Sequence, residues 1–185
     1  MLKDNNKKDF RRKGPRPPRE KPEFDQTIVE IARVTRVMAG GKRLSFRACV
    51  VIGDRKGRVG MGLAKAKDVP QAVQKAVRQA EKNIIKVPIH EGTITHQVRI
   101  KVGAAKVLLK PAPPGTGIIS GGAVRIVLEL AGIENIVSKI FGTGNKINNI
   151  RATIEALSIL KKSKFGKKEK KEDKKEEKAV VAEIA

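Results

Sequence analysis

Gly115, Gly117, Gly121 and Gly122 lie in "PAPPGTGIISGGAVRIVLEL", residues 111–130, just ahead of an apolar run of helical character. Glycine loops that open helices can cradle phosphate, because free backbone N–H groups and the positive end of the helix dipole converge there. The chemistry would be nucleotide binding. The spacing argues against it: no Lys-Ser or Lys-Thr follows the glycines as in a P-loop, and the glycines do not directly follow a strand as in a dinucleotide fingerprint. A structural turn against another macromolecule is the better reading.

Other candidates for chemistry are few. His90 and His96 are the only histidines. His96 interrupts an apolar face and reads as a satisfied, partly buried side chain rather than a catalyst or ligand. The single Cys49 excludes an internal disulfide framework and a cysteine-based metal site. It alternates outward in its strand and reads as a small apolar filler. The glycines of "GRVGMG", residues 57–62, mark a bulge or tight packing more readily than a ligand contact. The expectation is no enzyme, no cofactor, no metal and no small-molecule substrate.

Cations are plentiful. The 185 residues carry 41 Lys and Arg against 19 acids, a net charge of +22. Such a surplus calls for a polyanion, either nucleic acid or an anionic membrane. No apolar run is long enough to span a bilayer, and the N-terminus lacks the apolar segment of a secretory signal. With only five Phe and no Trp or Tyr, neither a single-strand stacking platform nor an RRM fits. No recognition helix or zinc-finger pattern points to sequence-specific DNA binding. Phosphate and shape recognition of folded RNA fits best. The candidate contacts are Arg36, Gly40, Gly41, Lys42, Arg43 and Arg47 around "AGGKR", Arg55, Lys56 and Arg58 in "DRKGR", and Lys65 and Lys67. The plainer alternative, a solvated face, is opposed by residues 25–160, where 22 Lys and Arg face 9 acids.

These residues need elements to position them. In "RLSFRACVVI", Leu44, Phe46, Ala48, Val50 and Ile52 alternate with Arg43, Ser45, Arg47, Cys49 and Val51, giving a strand with one buried face. "IVEIARVTRVM" precedes it, and the intervening Gly-Gly predicts a hairpin. "RVGMGLAKA" is a third strand. Asp68 then caps a helix to about Lys86, with Ala72, Val73, Ala76, Val77, Ala80 and Ile84 as its apolar stripe. Residues 24–88 thus read as a β-β-β-α unit. Pro88 to Gly92 reads as a linker.

Residues 93–161 read as β-β-α-β-α. Ile94, Val98, Ile100 and Val102 share one strand face. Gly103 turns the chain into "AKVLLK", a helix spans about Gly122–Ala131, and "IVSKIF" is a strand. Asn145 caps a last helix with Ile147, Ile150, Ile154 and Leu157 on one side. Segments 1–23 and 162–185 are highly charged, the second in the run "KKSKFGKKEKKEDKKEEK". Neither can bury enough apolar surface to offset ordering entropy, so both are expected to be disordered alone. The fold class is α+β.

Three stretches carry a resemblance: "SFRACVVIGDRKGRVGMGLAKAKDVPQAVQKA", "GTGIISGGAVRIVLELAGI" and "NKINNIRATIEAL". They closely resemble the bacterial 30S ribosomal protein family number five, over about residues 24–161. The resemblance implies a double-stranded-RNA-binding-like first domain and a second domain with a left-handed β-α-β crossover, against the usual hand. It implies a cytoplasmic, ribosome-bound protein that binds 16S ribosomal RNA. Its site would lie near the channel by which messenger RNA enters, beside the fourth and eighth small-subunit proteins, with an effect on decoding accuracy. Val37–Arg43 matches the family's RNA-contacting loop, and Gly117 and Arg125 match its surface toward the fourth protein. The usual lysine cluster at the last helix of a double-stranded-RNA-binding domain is replaced by Val69, Pro70 and Gln71. The glycine loop also resembles that of galactokinase–homoserine kinase-type enzymes, whose fold is similar to the second domain. A phosphotransferase using Gly115–Gly122, and a free RNA chaperone, are the alternatives.

Overall fold

The computed structural model describes residues 23–161. The two charged segments at 1–22 and 162–185, expected above to be disordered, lie outside the described residues.

Strands β1 (Asp25–Met38), β2 (Gly41–Gly53), β3 (Arg58–Ala66) and β4 (Ile84–Lys86) pair antiparallel in that order. The predicted hairpin forms, with Met38 opposite Gly41 and Gly40 at φ +84°, a conformation open to glycine. The register slips between Ile28 and Glu30, leaving Val29 as an extra residue in β1.

Helix α1 (Val69–Lys82) lies on one face of this sheet. Its fully buried Ala72, Ala76 and Ala80 are small, and β3 answers them with glycines. A Cβ on Gly60 would come 2.6 Å from the Ala80 carbonyl oxygen, and one on Gly62 would collide with the Ala76 carbonyl. The strand glycines therefore serve close helix–sheet packing, as the sequence predicts.

Two expectations about this helix need correction. It stops at Lys82, not Lys86, because Asn83 turns the chain and the β-branched Ile84 and Ile85 pair with β3. Ile84 still packs beneath α1, so the apolar stripe outlasts the helix. Asp68 does hold the N-cap position, but its carboxylate makes no capping bond; its main-chain carbonyl accepts from Ala72 N–H at 3.0 Å.

The expected linker is a hairpin. β5 (Ile89–His90) pairs with β6 (Thr93–Ile94) across Glu91 and Gly92, at φ +49° and +73°. Left-handed dihedrals at both turn positions close a two-residue hairpin with the correct twist.

A second sheet contains β7 (Val98–Val102), β8 (Ala105–Pro111), β9 (Ile118–Ile119) and β10 (Ile136–Gly142), in the order β7-β8-β10-β9. β9 runs parallel to β10, joined through α2 (Gly122–Ala131) in a β-α-β crossover. Gly132, at φ +83°, ends α2 with a left-handed cap. Asn145 caps α3 (Lys146–Ile159) as predicted, its side chain accepting from Ile147 N–H at 3.1 Å.

Helices α2 and α3 touch both sheets, so the layers run α1, first sheet, α2 with α3, second sheet. This overturns the one-faced reading of β2. Ala48, Val50 and Ile52 face α1, whereas Cys49 and Val51 are buried in the core shared with α2 and α3. Cys49 is a filler, but it points inward and is 1% exposed.

Candidate nucleic-acid interface

β1 and β2 outrun the helix that covers them. Their last core contact with α1 is Ala48, grouped with Ala66 and Ala72. β3 pairs with β2 as far as Phe46, and from there to Gly41 the two-stranded ribbon continues for about 17 Å at a strand's rise per residue. Residues 31–47 hold Arg33, Arg36, Lys42, Arg43 and Arg47 and no acid.

Strand register brings these cations together. Arg36 stands directly opposite Arg43, and Arg47 directly opposite Lys65 of β3. Like charges in such cross-strand positions destabilise a sheet. Among the described residues, none of these cations is in an ion pair. Arg36, Gly40, Gly41, Lys42, Arg43, Lys65 and Lys67 are exposed, and Arg47 is half-buried. Val37, at the tip, is 73% exposed. Such a ribbon can present cations and an apolar tip to a polyanion without rearrangement.

Arg55, Lys56 and Arg58 belong elsewhere. They sit at the other end of β2, about 40 Å along the strand from the tip. Asp54 organises their turn: its carboxylate accepts from Lys56 N–H (2.8 Å), Arg58 N–H (2.9 Å) and Arg58 Nε (2.7 Å). Burial alone would raise the Asp54 pKa, but the hydrogen bonds from Arg58 and Lys56 outweigh it and hold the carboxyl below its ordinary value. Arg58 also pairs with Glu23 at 3.2 Å and lies over the Phe24 ring, while Arg55 pairs with Asp25 at 3.0 Å.

The backbone of this turn has a structural role. Arg55 N–H and Gly57 N–H donate to Leu130 and Ala131 carbonyls at 3.0 and 2.9 Å. Those two carbonyls are the last of α2; the Gly132 cap satisfies the pair before them, with Gly132 and Ile133 N–H donating to Glu129 and Leu128. The turn thus clamps the first sheet to the C-terminal half, and only Lys56 of its three cations stands free of an ion pair among the described residues.

The glycine loop is built around a residue that sequence reasoning missed. Asn135 is 7% exposed, and its Oδ1 accepts from Gly115 N–H at 3.0 Å and Gly117 N–H at 3.1 Å. Gly117 returns a bond, its carbonyl accepting from Ile136 N–H at 3.1 Å. Two of the loop's amides, those of Gly115 and Gly117, are therefore already engaged inside the fold. Gly117 sits at φ +71° with open space where a Cβ would be, and Arg125 is exposed on α2. Both are accessible to a partner. The only sequence hint of Asn135 was a polar residue just ahead of the apolar "IVSKIF".

The remaining candidates are inert in this setting. Burial, with Glu30 nearby, pushes the Cys49 thiol up to about 11, so it is protonated at neutral pH. His96 is half-buried, with Nδ1 3.0 Å from the Thr95 hydroxyl. His90 lies 3.9 Å from the Glu91 carboxylate, on the hairpin. Among the described residues, no three His, Cys, Asp or Glu side chains are grouped so as to hold a metal ion. No described helix is long and apolar enough to cross a membrane.

Comparison with known proteins adds an independent line. Residues 24–88 match the model for the ribosomal protein S5 N-terminal domain, and residues 100–171 match that for the S5 C-terminal domain. The chain is 52% identical over 139 residues to the small ribosomal subunit protein uS5 of Campylobacter jejuni, covering 75% of this chain and 95% of that one. It is 51% identical over 138 residues to the protein of the same name from Thermotoga neapolitana, covering 75% and 78%.

Proposed function

The chain belongs to the ribosomal protein S5 family, and from that premise we propose that its β1–β2 ribbon binds small-subunit ribosomal RNA. The family is structural and not enzymatic, and this chain is a component of the small ribosomal subunit. The observation that carries the RNA reading is the acid-free ribbon, with Arg36 facing Arg43 and Arg47 facing Lys65. A protein gains nothing in stability from such pairs; a polyanion neutralises them. Lys42 and Gly40–Gly41 at the tip, with Lys65 and Lys67 at its base, complete the surface.

Arg55, Lys56 and Arg58 are a secondary part of the same proposal, because two of the three already pair with acids. The glycine loop and α2 form a different surface. Gly117, half-buried and held by Asn135, and Arg125, exposed on α2, suit contact with a neighbouring small-subunit protein, the fourth in the family's arrangement. Contact with the eighth protein, a position near the messenger-RNA channel and an effect on decoding accuracy belong to this same proposal. So does the division into domains 24–88 and 93–161.

The test is a double substitution, Lys42→Ala with Arg43→Ala, assayed for binding to 16S ribosomal RNA over a range of salt. Each phosphate that the protein no longer neutralises flattens the log–log salt slope by about 0.7–0.9. An unchanged slope in a folded variant overturns the assignment.

A further inference from the structure

The second sheet has one covered face and one open face. Val98, Val107, Leu109 and Ile136 point into the core beneath α2 and α3. Alternation along the strands sends the intervening residues outward. Two cross-strand rows result: Arg99, Leu108 and Lys139 in register, then Lys101, Lys106 and Phe141. Lys110 extends the face beside Val137.

This face repeats the signature of the ribbon. Lys101 and Lys106 stand directly opposite each other, both exposed, a like-charged pair that costs stability. None of the four strands contains an acid, and among the described residues none of the face's cations is in an ion pair. Phe141 is 40% exposed, and the Arg99 guanidinium lies 5.8 Å from its ring centroid. Five Phe are too few for a platform of several rings, but one ring beside cations on an open sheet offers a stacking site for a single unpaired base, with phosphates reached by the lysines around it. An acidic peptide would use the lysines but offer the ring no base to stack on.

We propose that the open face of the C-terminal sheet is a second RNA-binding surface, distinct from the ribbon. It takes backbone phosphates on Arg99, Lys101, Lys106, Lys110 and Lys139, and an unpaired base on Phe141. The layer order puts it on the far side of α2 and α3 from the first sheet, so the two surfaces engage separate RNA segments. The proposal rests on the reading of the chain as an RNA binder.

The test uses the full-length protein and transcribed 16S ribosomal RNA. Lys101→Gln with Lys106→Gln flattens the salt slope of binding by about 1.4–1.8, the effect of two phosphates left unneutralised, and leaves the thermal midpoint unchanged or higher. Phe141→Ala weakens binding without changing the slope. RNA slows acetylation of Lys101 and Lys106, whereas poly-glutamate at equal charge does not. An unchanged slope in the folded double variant overturns the proposal, and so does equal protection by poly-glutamate, which assigns the face to an acidic protein. Arg36→Gln with Arg43→Gln is measured in parallel: no response there beside a response from the sheet variant upholds this face and counts against the ribbon alone.

Discussion

Asn135 and Gly117 are joined twice. The Asn135 side-chain oxygen accepts the Gly117 N–H at 3.1 Å, and the Gly117 carbonyl accepts the N–H of Ile136, the residue after Asn135. With Gly115 N–H on the same oxygen, one buried amide sets the shape of the whole loop ahead of α2. Asn135→Ala removes the acceptor and strands two donors, at a cost of about 1–3 kcal/mol. Hydrogen exchange at the Gly115 and Gly117 amides should quicken selectively, while RNA affinity stays at the wild-type level. Exchange unchanged at both amides would show that the loop holds its shape without Asn135.

Gly62 in β3 and Gly40 in the β1–β2 turn make a second prediction. Gly62→Ala drives a methyl into the Ala76 carbonyl, and overpacking of this kind costs about 1–3 kcal/mol or more. Gly40→Ala meets no atom within 4 Å, so only its left-handed dihedral is penalised, at about 1–2 kcal/mol. Denaturant unfolding should rank Gly62→Ala as the less stable of the two variants. A Gly62→Ala protein as stable as wild type contradicts the close approach of α1 to β3.

Asp54 gives a pH dependence of known sign. Its folded-state pKa is depressed below the unfolded value of about 3.9. Its contribution is therefore present above that pH and lost as pH falls through the folded value. Asp54→Asn should cost about 1–3 kcal/mol at pH 7, from weakened bonds to Arg58 and Lys56. The difference from wild type should shrink steadily below about pH 4. A gap that stays constant with pH means the carboxylate charge contributes nothing to the turn.

The Cys49 thiol, protonated and buried, should resist a disulfide reagent at pH 7 in the native protein and react fully once denaturant unfolds it. Rapid native-state modification contradicts its place in the shared core.

Cys49 also shows where the sequence was readable and where it was not. Alternation in "RLSFRACVVI" identified the strand and the face turned to α1. It could not show that the other face is covered, because that cover comes from α2 and α3, more than 70 residues away in the chain. The ribbon's cations were legible because a Gly-Gly hairpin fixes them at a tip. Their pairing, Arg36 with Arg43, needed the register, as did Lys101 with Lys106. The engagement of Arg55 and Arg58 by acids depended on Glu23, Asp25 and Asp54 meeting in space. Asn135 stayed hidden because a lone buried amide has no periodicity, and the short β4, β5, β6 and β9 are too brief for alternation to reveal.

The central claim is that the ribbon's like-charged pairs serve RNA rather than the fold. The most direct measurement takes Arg36→Gln with Arg43→Gln and determines, on one preparation, both unfolding stability and the salt dependence of 16S ribosomal RNA binding. Removing two facing cations should leave stability unchanged or raise it by a few tenths of a kcal/mol. RNA binding should weaken, and its salt slope should flatten by about 1.4–1.8. A variant that loses stability yet binds RNA with the wild-type affinity and slope would contradict the account.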